Sequence, residues 1–149
     1  MGGTLSTEAN APSLFIWATQ DPDHAPLDRL QVIKGWLEDG QAKEAVYDVA
    51  CASGRPDSVS GKCPTSTAKV DLEDCSWDPS AGSPELRAQW MDPSYSPEQD
   101  AFYYVRAVQT PTCRWTTYDS IRLQRSPPEE VPPVVSEMAW SSPIWLHAP

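Results

Sequence analysis

Short segments that alternate between apolar and polar residues, or that are apolar throughout, predict that β-strands dominate this chain. Residues 101–109 form the clearest predicted strand, because they are rich in aromatic and β-branched side chains. Period-two alternation predicts further strands at residues 13–19 and 86–91. Since residues 13–19 carry apolar side chains at both odd and even positions, we expect that strand to be covered on both faces.

Residues 27–37 and 42–50 predict a β-hairpin. Leu27, Leu30 and Ile33 also have helical spacing, so a helix is the alternative. Gly35 inside the first segment and the Asp39-Gly dipeptide between the two favour strands joined by a tight turn.

Turn-forming residues divide the rest of the chain. Residues 51–83 are rich in Ser, Pro, Gly and Asp and predict a loop-rich insertion, with one short strand at residues 68–72. After Pro111, residues 115–123 predict another strand, and the prolines within residues 126–135 predict an extended connector. The tail, residues 136–145, predicts a last edge strand, where Pro143 is tolerated.

Many short strands without strand–helix alternation indicate an all-β fold. We expect an antiparallel, immunoglobulin-like β-sandwich with long disulfide-linked loops and little helix. Residues 1–12 are expected to form a lead segment before a single domain at residues 13–149, since one core suits a chain of 149 residues.

The cysteines are even in number and include no C-x-x-C pair, which disfavours a zinc ribbon or a thioredoxin-like site. They are Cys51, Cys63, Cys75 and Cys113. Of three possible pairings we favour Cys51 with Cys63 and Cys75 with Cys113, because the first would close a Gly/Ser/Pro-rich loop. Disulfides predict a periplasmic or secreted protein, and four reduced cysteines in a cytosolic core are the alternative.

The formal net charge is −10, with only eleven Lys and Arg residues, so we expect no nucleic-acid partner. No apolar stretch is long enough to cross a bilayer, so no membrane insertion is expected. The acidic residues are scattered, which predicts a solvated surface, with calcium binding as the alternative.

Candidate chemistry is sparse. His24 and His147 are the only histidines, so a three-histidine zinc site is excluded. Asp21, Asp23 and His24 are weak metal-ligand candidates, and His24 is also a weak catalytic candidate. A simple turn is the favoured interpretation of this segment, and we expect no cofactor in this chain.

Seven tryptophans offer either core packing or a saccharide-binding platform, because an indole face serves both. We expect Trp17 and two further strand tryptophans, Trp36 and Trp90, to lie in the core. Trp115, Trp140 and Trp145 are expected mainly to anchor strands, and a substrate-binding patch formed by these three is the alternative.

Four segments carry a family resemblance: LDRLQVIKGW at 27–36, AFYYVR at 101–106, PTCRWTTYD at 111–119 and EMAWSSPIW at 137–145. In this order they resemble the C-terminal end of a large exported bacterial family of unknown function. The upstream core of that family is similar to metal-dependent hydrolases of the polymerase and histidinol phosphatase (PHP) type.

The resemblance implies a non-catalytic β module that packs on, or assists, such a core, with a divalent metal in the core and not in this chain. The implied partner is the upstream core or a second copy of the chain. Arg114 and Asp119 are weak site candidates that would face the core, and an Arg–Asp pair bracing Trp115 is the alternative. Two other functions stay open: a small stand-alone hydrolase with a recruited metal, and a carbohydrate-binding or adhesion module.

Overall fold

Residues 2–6, 11–127 and 129–148 are described by a computed structural model of the chain. The elements are β1 (Gly3–Ser6), β2 (Ser13–Thr19), β3 (Leu27–Glu38), β4 (Gln41–Cys51), β5 (Glu85–Met91), β6 (Ala101–Gln109), β7 (Thr112–Cys113), α1 (Trp115–Leu123), β8 (Val134–Val135), β9 (Met138–Trp140) and β10 (Ile144–His147).

Six strands form a large sheet in the order β1-β10-β6-β3-β4, with β9 also paired to β6. The strands β3 and β4 form the predicted hairpin, and its turn residues Asp39 and Gly40 both have positive φ angles, 51° and 74°. An Asp-Gly pair tolerates that conformation, which explains the tight turn. A small antiparallel sheet contains β2 and β5, and a third, very short sheet contains β7 and β8.

The large and small sheets pack face to face. Apolar side chains of both sheets meet between them in one core, which includes Ile16, Leu30, Val32, Leu86 and Leu146. Core positions alternate along β2, β3 and β5, as the period of a strand requires. The structure therefore confirms the predicted all-β class with sandwich packing, two disulfides and little helix.

The prediction of a strand at residues 115–123 is wrong, because these residues form α1. Arg114 precedes the helix in an extended conformation, and the Thr117 hydroxyl donates a hydrogen bond to the Pro133 carbonyl at 2.7 Å. The Arg114 amide donates to the same carbonyl at 2.9 Å. These contacts with the returning chain outweigh the strand preference of the aromatic and β-branched residues.

The prediction that β2 is covered on both faces is also wrong. Ile16 is buried, whereas Phe15 is 80% exposed and Trp17 is 68% exposed. The small sheet has only two strands and nothing in the described chain covers its outer face. The apolar side chains on the second face of β2 therefore form an exposed apolar surface. Trp17 belongs to this surface, and the prediction that it is a core residue is wrong.

The tail follows β6 as expected, but as two short strands: β9 pairs with β6 alone among the described strands and is therefore an edge strand, whereas β10 lies between β1 and β6. The interruption occurs at Ser141, whose hydroxyl accepts a hydrogen bond from the Val105 amide at 2.9 Å. Pro143 follows and has no amide hydrogen to donate. β1 comes from within the expected lead segment, of which residues 1 and 7–10 lie outside the described residues.

The Cys51–Cys63 and Cys75–Cys113 disulfides are present, with the pairing that the sequence favoured. Residues 68–72 form no strand, and Val70 makes only an isolated bridge to Trp77. The loop is organised instead by aspartate side chains that accept hydrogen bonds from the amide two residues later. These aspartates are Asp57, Asp71, Asp74 and Asp78. Such turns hold a long loop without a strand.

The proline-rich connector at residues 126–135 ends in β8, which pairs with β7. Pro128 of this connector lies outside the described residues.

Candidate functional site

The outer face of the large sheet, opposite the core, carries a strip of aromatic side chains. Phe102 and Tyr104 are two residues apart on β6, and their rings are nearly parallel, at 10°, with centroids 6.3 Å apart. Trp145 on β10 is in register with Phe102, and its ring centroid lies 5.1 Å from the Phe102 centroid. Trp140 on β9 is in register with Arg106, which also points outward. The predicted Trp140 and Trp145 therefore share one face.

A groove of about 450 Å³ opens at one end of this strip. Its floor contains Gly35 of β3, Phe102 and Trp145. Gly35 is required there, because a Cβ atom at this position would overlap the Phe102 ring. The missing side chain at Gly35 lets the end of the Phe102 ring approach the β3 backbone closely.

Trp115 is separate from these two tryptophans. It lies on α1 and is 68% exposed. The structure therefore brings together Trp140 and Trp145 but not Trp115, and none of the three is a buried core side chain.

A second apolar surface covers the outer face of the small sheet. It contains Phe15 and Trp17 of β2 with Met91 of β5, which is 61% exposed. Arg87 stands opposite Trp17 in the register and pairs with Glu85 at 2.8 Å. We call the residues Phe15, Trp17, Arg87, Gln89 and Met91 the β2-β5 surface.

A buried ionic cluster lies between the sheets. The Lys34 ammonium is 2.6 Å from the Asp92 carboxylate, and both side chains are 1% exposed. Lys34 also donates to the Ser94 carbonyl at 2.9 Å, and the Tyr103 hydroxyl donates to Asp92 at 2.7 Å. The Lys34 ammonium stands 5.2 Å from the centroid of the Trp36 ring, within cation–π range.

The charges in this cluster are satisfied. Burial would raise the pKa of Asp92, but hydrogen bonds from Lys34, Tyr103 and Ser94 outweigh it and place the pKa below 3.8. Burial, together with the neighbouring Asp92, raises the pKa of Tyr103 well above 10. Since the Lys34 ammonium and the Asp92 carboxylate each have several partners within the protein, we assign this network a structural role.

The His24 segment forms a turn at the mouth of a cleft of about 290 Å³. Asp23, His24, Tyr118 and Glu137 are among the residues that line it. Asp21 accepts a hydrogen bond from the Asp23 amide, as in a simple turn, and stands 3.9 Å from the His24 ring. Among the described residues, no group of three or more His, Cys, Asp or Glu side chains could hold a metal ion.

Arg114 immediately precedes α1, and Asp119 lies in the second turn of the helix. Asp119 is exposed, and no ion pair joins it to Arg114 within the described part of the chain. The alternative of an Arg–Asp pair bracing Trp115 is therefore not supported by the ion pairs of the described residues. The Arg114 Nε atom is buried without a hydrogen-bond partner in the described structure.

Sequence reasoning missed the partners of the exposed tryptophans. Phe102 and Tyr104 were assigned only to a strand, yet their spacing of two placed both rings on one face. The signal for Gly35 was a glycine within a strand pattern, which often marks close approach of another group. No sequence signal predicted the contact between Lys34 and Asp92, which are 58 positions apart.

Comparison with known protein families identifies the family of this chain. The sequence model of a family described as "Protein of unknown function (DUF3604)" matches residues 1–148, nearly the whole chain. The chain belongs to this family. No curated protein and no solved structure matches the DUF3604 chain. The expected membership of an uncharacterised family is confirmed.

The compartment of the DUF3604 chain follows from its cysteines. Two disulfides indicate an oxidising environment, extracellular or periplasmic. Within residues 2–6, 11–127 and 129–148, no helix is both long and apolar enough to cross a membrane.

Proposed function

We propose that this chain is a non-catalytic β module that packs on, and assists, a metal-dependent hydrolase core of the PHP type. The core supplies the divalent metal and its ligands. The observation that carries the proposal is the β2-β5 surface, where Phe15, Trp17 and Met91 are 80%, 68% and 61% exposed. An outer sheet face of a free-standing sandwich normally carries polar side chains, so this one supports a protein partner.

The composition of the surface also suits a protein interface. Two aromatic side chains and an arginine lie side by side, and Trp and Arg are the residue types that most often contribute strongly to binding. Gln89, opposite Phe15, adds a polar group at the rim. The four sequence motifs that resemble the end of a PHP-associated family favour the hydrolase core as that partner over a second copy of the chain.

The test measures binding between the chain and the metal-bearing core of the same family by isothermal titration calorimetry. We expect Trp17→Ser and Phe15→Ser each to weaken binding by about tenfold or more, the effect of losing an interface residue worth about 1.4 kcal/mol. Val59→Ser is the matched control, because Val59 is 94% exposed on a loop away from this surface. Unchanged affinity in both aromatic variants would contradict the proposal.

Two further measurements separate the alternatives. Analytical ultracentrifugation of the chain alone detects a homo-oligomer that Trp17→Ser dissociates, which would assign the surface to a second copy. A phosphoester screen with added divalent metals tests the stand-alone hydrolase. Turnover that is lost in His24→Ala would replace the docking proposal with a catalytic one, centred on the cleft beside His24.

A further inference from the structure

The groove on the outer face of the large sheet is built from two aromatic planes. The Trp145 and Phe102 rings meet at 48° with centroids 5.1 Å apart, so they form a concave corner and not a flat patch. Trp145 is 45% exposed. The Tyr104 ring lies farther along the strand and stacks nearly parallel to the Phe102 ring. A six-membered sugar ring has an apolar face of C–H groups, and an indole plane binds such a face by the same forces that pack aromatic side chains together.

Polar side chains border the same groove. Glu44 is in register with Gly35, so its side chain lies on the face that carries Phe102. Lys43, Asp100 and His147 also line the groove. Among the ion pairs of the described residues, none involves Glu44, whereas Asp100 lies 3.7 Å from the His147 ring. Hydroxyl groups at the edge of a stacked sugar can donate hydrogen bonds to these carboxylates.

The size and charge of the groove limit the class of ligand that it can bind. About 450 Å³ lies within the ~300–1,000 Å³ range of small-molecule sites. Two carboxylates stand at the rim, and the chain carries a net charge of −10. Both repel acidic sugars, whereas a neutral sugar offers hydroxyls without adding negative charge.

We propose that this groove binds a neutral pyranose oligosaccharide, stacked on Trp145 with Phe102 closing the corner and Glu44 accepting a hydroxyl hydrogen bond. This goes beyond the docking role and does not depend on it, because docking uses the β2-β5 surface on the opposite sheet. Either proposal can therefore fail without the other.

The test titrates the chain with cellohexaose and hexa-N-acetylchitohexaose, which are neutral, and with polygalacturonate, which is acidic. Tryptophan fluorescence and calorimetry report binding. We expect saturable binding of at least one neutral oligosaccharide and none of polygalacturonate. Trp145→Ala should weaken the binding at least tenfold, Trp145→Phe should retain most of it, and Glu44→Gln should weaken it severalfold. Trp115→Ala is the matched control, since Trp115 is at least as exposed but lies on α1.

Three outcomes would overturn the proposal. One is the absence of binding to both neutral probes at millimolar concentration. A second is an equal loss in Trp145→Ala and Trp115→Ala, which would place the sugar elsewhere. The third is that acrylamide quenching of Trp145 fluorescence is reduced by the hydrolase core protein and not by a sugar. That result would make the groove a protein interface. Glu44→Gln alters only an exposed side chain, so it tests the site even if Trp145→Ala fails to fold.

Discussion

Replacing Lys34 by methionine tests how the buried ionic cluster contributes to stability. Methionine keeps the length and most of the apolar contacts of lysine but removes the ammonium that lies 2.6 Å from Asp92. The Asp92 carboxylate then stays buried with hydrogen bonds only from Tyr103 and Ser94. Removing one partner of a buried ion pair costs about 3–5 kcal/mol. That is a large part of the ~5–15 kcal/mol by which a domain of this kind is stable.

Urea unfolding with both disulfides intact, followed by tryptophan fluorescence, measures this loss. We expect Lys34→Met to lower the free energy of unfolding by about 3–5 kcal/mol. The double variant Lys34→Met/Asp92→Leu should recover most of it, because the uncompensated charge is gone. Lys43→Met is the control, since Lys43 is exposed and its loss should change stability by less than about 0.5 kcal/mol.

The pH dependence has a defined sign. The pKa of Asp92 in the folded chain lies below 3.8, so the unfolded chain binds the proton more tightly. The stability that Asp92 contributes is therefore present above pH 3.8 and is lost as the pH falls through the folded-state pKa. The gap between the wild-type chain and Lys34→Met should narrow over the same range. A cost below about 1 kcal/mol, or a gap that does not change with pH, would refute the assigned role of the pair.

Three further predictions concern the free energy of unfolding, measured in urea by tryptophan fluorescence. Opening the Cys75–Cys113 disulfide should lower the free energy of unfolding by about 1 kcal/mol more than opening Cys51–Cys63, because the sequence separations are 38 and 12 residues. Equal losses would argue against a loop-closure origin. Gly35→Ala should cost about 1–3 kcal/mol through overlap with the ring above it, whereas Gly3→Ala, which meets nothing within 4 Å, should be nearly neutral. Thr117→Val should cost about 1–2 kcal/mol by removing the buried hydroxyl that donates to a connector carbonyl, and a neutral result would mean that α1 does not depend on that bond.

The sequence predicted the strands of the sandwich well because their signals are local. Residues 13–19 and 101–109 are strands with the expected bounds, and the hairpin turn at Asp39 and Gly40 requires the positive φ angles that its residue types tolerate. The disulfide pairing could also be predicted from the sequence, because a bridge that closes a Gly- and Pro-rich loop restricts the freedom of that loop.

Long-range contacts explain what the sequence did not predict. The stretch at residues 115–123 has strand-forming residues, but the carbonyl of Pro133 returns from beyond the helix and supports its first turn. The exposure of Trp17 depends on how many strands the small sheet contains, which no pattern within β2 encodes. For the candidate groove, Trp145 could be singled out by its residue type, whereas Phe102 and Glu44 join it only through the pairing of four strands.

The pairing of β1 with β10 has a consequence for the order in which the sandwich assembles. Gly3–Ser6 lies parallel to Ile144–His147, so this edge joins residues about as far apart in the chain as the described segments allow. All four β1 residues are exposed, so main-chain hydrogen bonds contribute more than apolar burial to holding the strand. Loop closure over such a separation is costly and slows the formation of a contact. The β3-β4 hairpin and the pairing of β3 with β6 close shorter loops, so we expect the centre of the large sheet to form before its outer edge.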